Sequence, residues 1–293
     1  MKNIEDVNIL VIGDLMLDEY IVGVVERISP EAPVPIVKIT NKYSTLGGAG
    51  NVARNIKELG AKITCIGSIG NDPTGFDIRH NLLSLGINQR LIMTEEISTK
   101  KTRIIAERST QLLRIDDERW TAVDINKIDL SGDYDIIIIS DYDKGMITPE
   151  LLEEVKKIDT KIIIDPKSEN GISQWYDNVF MITPNTKEFD KIFNSYPNVL
   201  DSIKYVLLTL GRTGMNLMHG DTVTSIMGEP VNIHNVSGCG DTVVAIISVC
   251  ISMGLDVLTS AKIANSCAAY AATQPGTSVV PFEVFDKKMK ENL

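Results

Sequence analysis

The chain has 293 residues, of which 43% are hydrophobic, 23% charged and 5% aromatic, and it carries a formal net charge of −10. A chain of this length and balance buries a large core without disulfide or metal staples. The acidic surface disfavours nucleic acid and anionic lipid as partners, yet a few local cations can still receive a small anionic substrate.

In chain order, Asn8–Ile12, Ile63–Gly67, Ile136–Ile139, Ile162–Ile164, Val179–Ile182 and Val206–Thr209 are short, unalternating runs bounded by breakers. Such runs are expected for strands of a parallel sheet covered on both faces. Between them, Ala49–Leu59, Phe76–Leu85, Pro149–Lys157 and Thr186–Phe193 carry apolar residues at helical spacing. Two further helices, rich in small residues, are expected at Asp241–Met253 and Leu258–Ala272. The alternation predicts an α/β fold, a doubly wound, mostly parallel sheet flanked by helices, as one domain over 1–293. Ile21–Thr40, with its dense prolines, and the pair Thr102–Ala106 and Leu112–Ile115 break the rhythm. They predict a small β lid from two excursions, about 20–40 and 100–116, because proline suits edge strands and turns.

Cys65, Cys239, Cys250 and Cys267 show no C-x-x-C spacing and are read as reduced thiols. His80, His219 and His234 form no i, i+3 or i, i+4 pair and no H-x-G-H, so a zincin helix and a nucleotidyltransferase signature are both missing. No signal-peptide pattern and no apolar run of membrane length is present, and a cytoplasmic location is expected.

Open parallel sheets bind ligands at the carboxyl ends of their strands. Asp14 and Asp18 follow the first predicted strand, and Ser140-Asp141 and Lys144 follow the third. Asp165 and Lys167, then Asn185 and Glu188, then Gly211 and Gly214 follow the last three. Any single one suits a helix cap; five together describe an active-site rim. Gly47-Gly48-Ala49-Gly50-Asn51 and Gly238-Cys239-Gly240-Asp241 each open a helix. Glycines there permit close backbone approach and leave N–H groups free for an anion. No Walker A loop exists, and no G-x-G-x-x-G follows the first strand, which counts against a nicotinamide-dependent dehydrogenase.

These segments together resemble the ribokinase-like (phosphofructokinase-B type) carbohydrate kinases along nearly the whole chain. The resemblance rests on the Gly-Gly-x-x-Asn run, on Gly238-Cys239-Gly240-Asp241 and on Asn185-Thr186-Lys187-Glu188, similar to the family's N-x-x-E. It implies Asp241 as catalytic base and Gly238, Cys239 and Gly240 as the anion hole. Asp14, Asp18, Gly47, Gly48 and Asn51 would bind the sugar. Asn185 and Glu188 would organise Mg²⁺ indirectly, through phosphates or water, and Thr209, Gly211 and Gly214 would flank ATP.

Arg27-Ile28-Ser29-Pro30-Glu31-Ala32-Pro33-Val34-Pro35, Gln111–Asp116 and Ser140–Gly145 are most similar to the branch that acts on a heptose 7-phosphate. That branch phosphorylates the anomeric hydroxyl in ADP-heptose synthesis. Arg103, Arg114 and Lys167 would then grip the substrate phosphate, unless they pair with a lid carboxylate such as Asp116 or Glu118. The likeness also implies a homodimer through the lid, and an adenylyltransferase acting downstream as a separate partner. Asn235 stands where relatives carry an acidic residue, which leaves monovalent-cation activation open. Cys239 replaces alanine, and a thiol at a helix N-terminus is expected to have a lowered pKa. Two alternatives stay open: the same kinase on another sugar, or a catalytically silent sugar- or nucleotide-binding regulator.

Overall fold

The computed structural model describes residues 1–106, 110–167 and 172–293. Its larger sheet contains β1 (Asn8–Gly13), β4 (Lys62–Gly70), β5 (Asn88–Thr94), β8 (Ile136–Ser140), β9 (Lys161–Asp165), β10 (Met181–Ile182), β11 (Tyr205–Thr209), β12 (Gly214–His219) and β13 (Thr222–Met227). The spatial order is β13-β12-β11-β10-β9-β8-β1-β4-β5. Pairing is parallel from β11 to β5 and antiparallel for β11–β12 and β12–β13.

The isoleucine-rich strands bury both faces. Ile136 and Ile138 join one core with α1 (Ala49–Glu58), α2 (Pro73–Ser84), α6 (Cys239–Ser252), α7 (Val257–Ala272) and α8 (Phe282–Asn292). Ile137 and Ile139 join a second core with α3 (Pro149–Lys156), α4 (Thr186–Ser195) and α5 (Pro197–Ser202). Consecutive residues point to opposite faces, so unalternating apolar strands are what two covered faces require. Among the described residues, no helix is long and apolar enough to cross a membrane.

A second sheet, where the sequence predicts a lid, has the order β3-β2-β6-β7. It is built from β2 (Leu15–Ile28), β3 (Pro35–Gly48), β6 (Thr99–Ala106) and β7 (Thr110–Asp117). The first excursion is longer than the expected 20–40, because β2 and β3 pair continuously from Leu15–Gly48 at the base to Ile28–Pro35 at the tip. Proline does close that hairpin at its tip. Three strands of the main sheet were not anticipated. β5 and β13 lie at its edges and β12 beside β13; their mixed, part-exposed sequences lack the continuous apolar run of a central strand. The α5 and α8 helices were likewise not anticipated, and β10 is shorter than the run Val179–Ile182 suggested.

Candidate active site

The α6 N-terminus is the centre of the site. Gly238 caps it at φ 81, and a Cβ there would lie 2.7 Å from Asn51 Nδ2 and 2.8 Å from Thr277 Cγ2. Glycine is therefore demanded twice, by backbone conformation and by space. The turn leaves first-turn N–H groups without helical acceptors, at the positive end of the helix dipole. Cys239 and Gly240 line a cavity of about 970 Å³. Asn185, Thr209, Gly211 and Gly214 line the same cavity, Glu188 does not, and Met215, Val231, Ile233, Val236 and Val243 add apolar walls. An apolar slot with a few polar groups and a helix N-terminus at one end suits a nucleotide.

Asp241 follows directly and is buried, with 3% exposure. Asn51 Nδ2 donates to its Oδ2 at 2.8 Å, and the Tyr142 hydroxyl donates to its Oδ1 at 2.6 Å. Burial pushes the carboxyl up to about 6, against the lowering effect of those two hydrogen bonds. Such a group is mostly ionised at neutral pH and more basic than an ordinary carboxylate. Asn51 Oδ1 is buried without a hydrogen-bond partner, leaving one acceptor beside the base. Tyr142 lies within the run Ser140–Gly145. Nothing in one sequence marks a phenol that reaches an aspartate 99 residues away.

The other residues expected to bind the sugar are drawn together at the base of the second sheet. Asp18 Oδ2 accepts from Thr277 Oγ1 at 3.1 Å, and Arg103 pairs with Asp18 Oδ1 in a buried ion pair. Gly47 faces Asp18 so closely that a Cβ would sit 2.9 Å from Oδ2. Gly48 precedes α1 and carries Asn51 into the site. Asp14 accepts from the backbone N–H groups of Tyr142, Lys144 and Met146. Its geometry is that of a brace holding the 142–146 loop, and burial raises its carboxyl.

Of the three proposed phosphate-gripping cations, Arg103 and Arg114 face each other across β6 and β7, and Lys167 sits beside α4. Arg103 is neutralised by Asp18, and Arg114, on exposed β7, pairs with Asp116. Lys167 lies 3.6 Å from Glu188 in the first turn of α4. Asn185 and Glu188 form a capping box on α4, with Glu188 Oε2 accepting from the Asn185 N–H at 2.9 Å. Asp165 is pushed up to about 8 by burial and by the charges of Asp241 and Glu188, while Thr183 donates to it at 2.8 Å. The expected low-pKa thiol is corrected: burial, reinforced by the Asp241 charge, drives Cys239 up to about 11. Asn235 Oδ1 accepts from the Ser237 N–H, so it shapes the loop before Gly238.

The model of the pfkB family carbohydrate kinases matches residues 7–283. The chain belongs to that family. It is an ATP-dependent kinase of a sugar, on a ribokinase-like fold. The bifunctional protein HldE of Rhodopseudomonas palustris is 35% identical over 301 residues, 93% of this chain and 61% of the relative. That of Campylobacter fetus is 35% identical over 298 residues, 93% of this chain and 64% of the relative. The chain thus spans less than two thirds of the length of these relatives. Among solved structures, ribokinase of Thermotoga maritima superposes with a TM-score of 0.78 at 20% identity, covering 97% of this chain and 99% of that one. Phosphofructokinase-2 of Escherichia coli, in complex with potassium, gives 0.80 at 18% identity, covering 98% and 99%. At those identities the likeness is one of fold.

Proposed function

We propose that this kinase transfers the ATP γ-phosphoryl group to the anomeric hydroxyl of D-glycero-β-D-manno-heptose 7-phosphate, giving the 1,7-bisphosphate. The observation that carries the reading is Asp241, a buried base held from two sides where the nucleotide cavity meets the lid. The substrate itself is supported by the Arg27–Pro35 run and by relatives named HldE. In this reading the acceptor hydroxyl gives its proton to Asp241 as its oxygen attacks the γ-phosphorus, and ADP leaves. The first-turn N–H groups of α6 receive the charge that builds on the transferring group.

Asp165 and Glu188 would hold hydrated Mg²⁺, which supplies charge neutralisation for the phosphates when bound. Burial raises Asp165 most, with the charges of Asp241 and Glu188 adding to it, and a divalent cation there would offset those charges. A homodimer through the lid is supported by exposed Ile28, Ile39, Leu113 and Ile115 on its strands. A downstream adenylyltransferase would then consume the product.

Incubation with Mg·ATP and the heptose 7-phosphate tests the substrate. The product should show a second phosphorus resonance coupled to the anomeric proton, with the 7-phosphate retained. Turnover confined to another sugar would keep the kinase and discard this acceptor.

A further inference from the structure

One wall of the cavity at the α6 N-terminus is held by few contacts. Residues 228–236 run without helix or strand from β13 to the turn before Gly238, and none of them is buried. Gly228, Glu229, Pro230, Val231, Ile233 and Val236 nevertheless line the cavity. Backbone bonds fix the two ends of the segment. The Gly228 N–H donates to the Thr213 carbonyl at 3.0 Å, and the His234 and Asn235 N–H groups donate to the Ala272 carbonyl at 2.8 and 3.1 Å. Between those ends, the described residues give 229–233 a single polar tie. Lys288 Nζ donates to both carboxylate oxygens of Glu229, at 3.1 and 3.0 Å.

Lys288 belongs to α8 and does not itself line the cavity. Phe285 and Met289, one turn apart, seat that helix on the core. The match to the family model ends at residue 283, so Lys288 lies beyond the shared pattern. Glu291 Oε2 lies 3.5 Å from the same ammonium. Burial opposes the lysine's charge, but Glu229 and Glu291 outweigh it and raise its pKa, so it stays charged at neutral pH.

We propose that Lys288 is a positioning residue for the nucleotide, acting through Glu229 to hold the 229–233 wall in the conformation that fits ATP. The inference rests on the reading of this cavity as the nucleotide site. An unburied wall released from its tie samples several conformations, and apparent affinity falls with the fraction that is competent. The side chains of Lys288 and Glu229 are 21% and 32% exposed, which limits the pair to the strength of a surface ion pair. The loss should therefore be about three- to five-fold. It should fall on the nucleotide alone, because Asn51, Asp241 and Asp18 are held by other partners.

The test is calorimetric titration with the Mg²⁺ complex of a non-hydrolysable ATP analogue, alongside steady-state kinetics. Lys288→Met keeps the aliphatic stem and removes the charge. It should weaken the analogue and raise KM for ATP by that factor, with kcat and KM for the sugar unchanged, and Lys288→Arg should recover most of the loss. Glu229→Gln should weaken binding to a similar extent, and the double variant no further, because the two residues act as one unit.

Tighter binding by Glu229→Gln would mean that the lysine acts only as a charge facing the phosphates, and it overturns the inference. Additive losses overturn it too, as does a loss shared equally with the sugar. Ala268→Phe, which fills the cavity from α7, separates the two readings, with Val236→Trp in its place should that helix variant not fold. If the filled cavity still binds the analogue, the nucleotide reading of the cavity fails and the inference with it. If filling abolishes binding while Lys288→Met binds like wild type, the cavity reading stands and the positioning role falls.

Discussion

Replacing Tyr142 by Phe removes one oxygen from a buried side chain and leaves the ring in place. That oxygen donates to Asp241 Oδ1 at 2.6 Å, so the variant strips the ionised base of one of its two hydrogen bonds. Hydrogen bonds to charged groups are worth about 1.5–3 kcal/mol, or roughly one to two pKa units. The sign is fixed: the bond favours the carboxylate, so its loss raises Asp241 from about 6 to roughly 7–8. The ionised fraction at pH 7 should fall about two- to ten-fold, and kcat/KM with it. Activity should recover towards wild type near pH 9. The assay is the pH profile of kcat/KM for the acceptor sugar, followed by ADP release. An acid limb that stays in place, or a loss equal at every pH, would refute Tyr142 as the group that positions and tunes the base.

Asp141 is pushed up to about 7 by burial and by Asp14 nearby. A raised carboxyl contributes stability that is complete below its unfolded value and lost as pH rises through about 7. The thermal midpoint of ligand-free protein should therefore fall between pH 5 and 8, and Asp141→Asn, which cannot ionise, should flatten that fall. An equal slope in both proteins would contradict it. Gly238→Ala forces a side chain into φ 81 against Asn51 and Thr277. It should cost about 1–3 kcal/mol of stability and most of the turnover, measured by denaturant unfolding and ADP release; wild-type values in both would deny the strained cap. Asp165→Asn should raise the Mg²⁺ concentration needed for half-maximal turnover several-fold while the KM for sugar stays constant. A change confined to the sugar would place Asp165 elsewhere.

The central strands were legible because burial on both faces leaves an unmistakable record, as in Ile136–Ile139. The edge strands β5 and β13 were not, since half-exposed backbone needs no such record. For the site, type and order nominated Asn51, Asp241 and the glycines between loop and helix, and the fold brings Asn51, Gly238 and Asp241 together. Charge partners were illegible. Arg103 and Lys144 look alike in one sequence, yet the first is spent on Asp18 and the second shares Glu118 with Lys101. Pairing across 85 or 26 residues depends on strand register and loop path, which local pattern does not encode. The pKa of Cys239 was misjudged for a related reason. The helix N-terminus is visible in sequence, while the burial that outweighs it is not.

The central claim is that Asp241 deprotonates a sugar hydroxyl for phosphoryl transfer. Its most direct measurement is ADP release with Mg·ATP over heptose 7-phosphate, unphosphorylated heptose, fructose 6-phosphate and ribose, for wild type and Asp241→Asn together. The account predicts turnover by wild type with heptose 7-phosphate, and none by the variant despite retained ATP binding. Near-normal turnover by Asp241→Asn would remove the base from its role, and wild-type protein that binds ATP but turns over no sugar would contradict the kinase reading of the site.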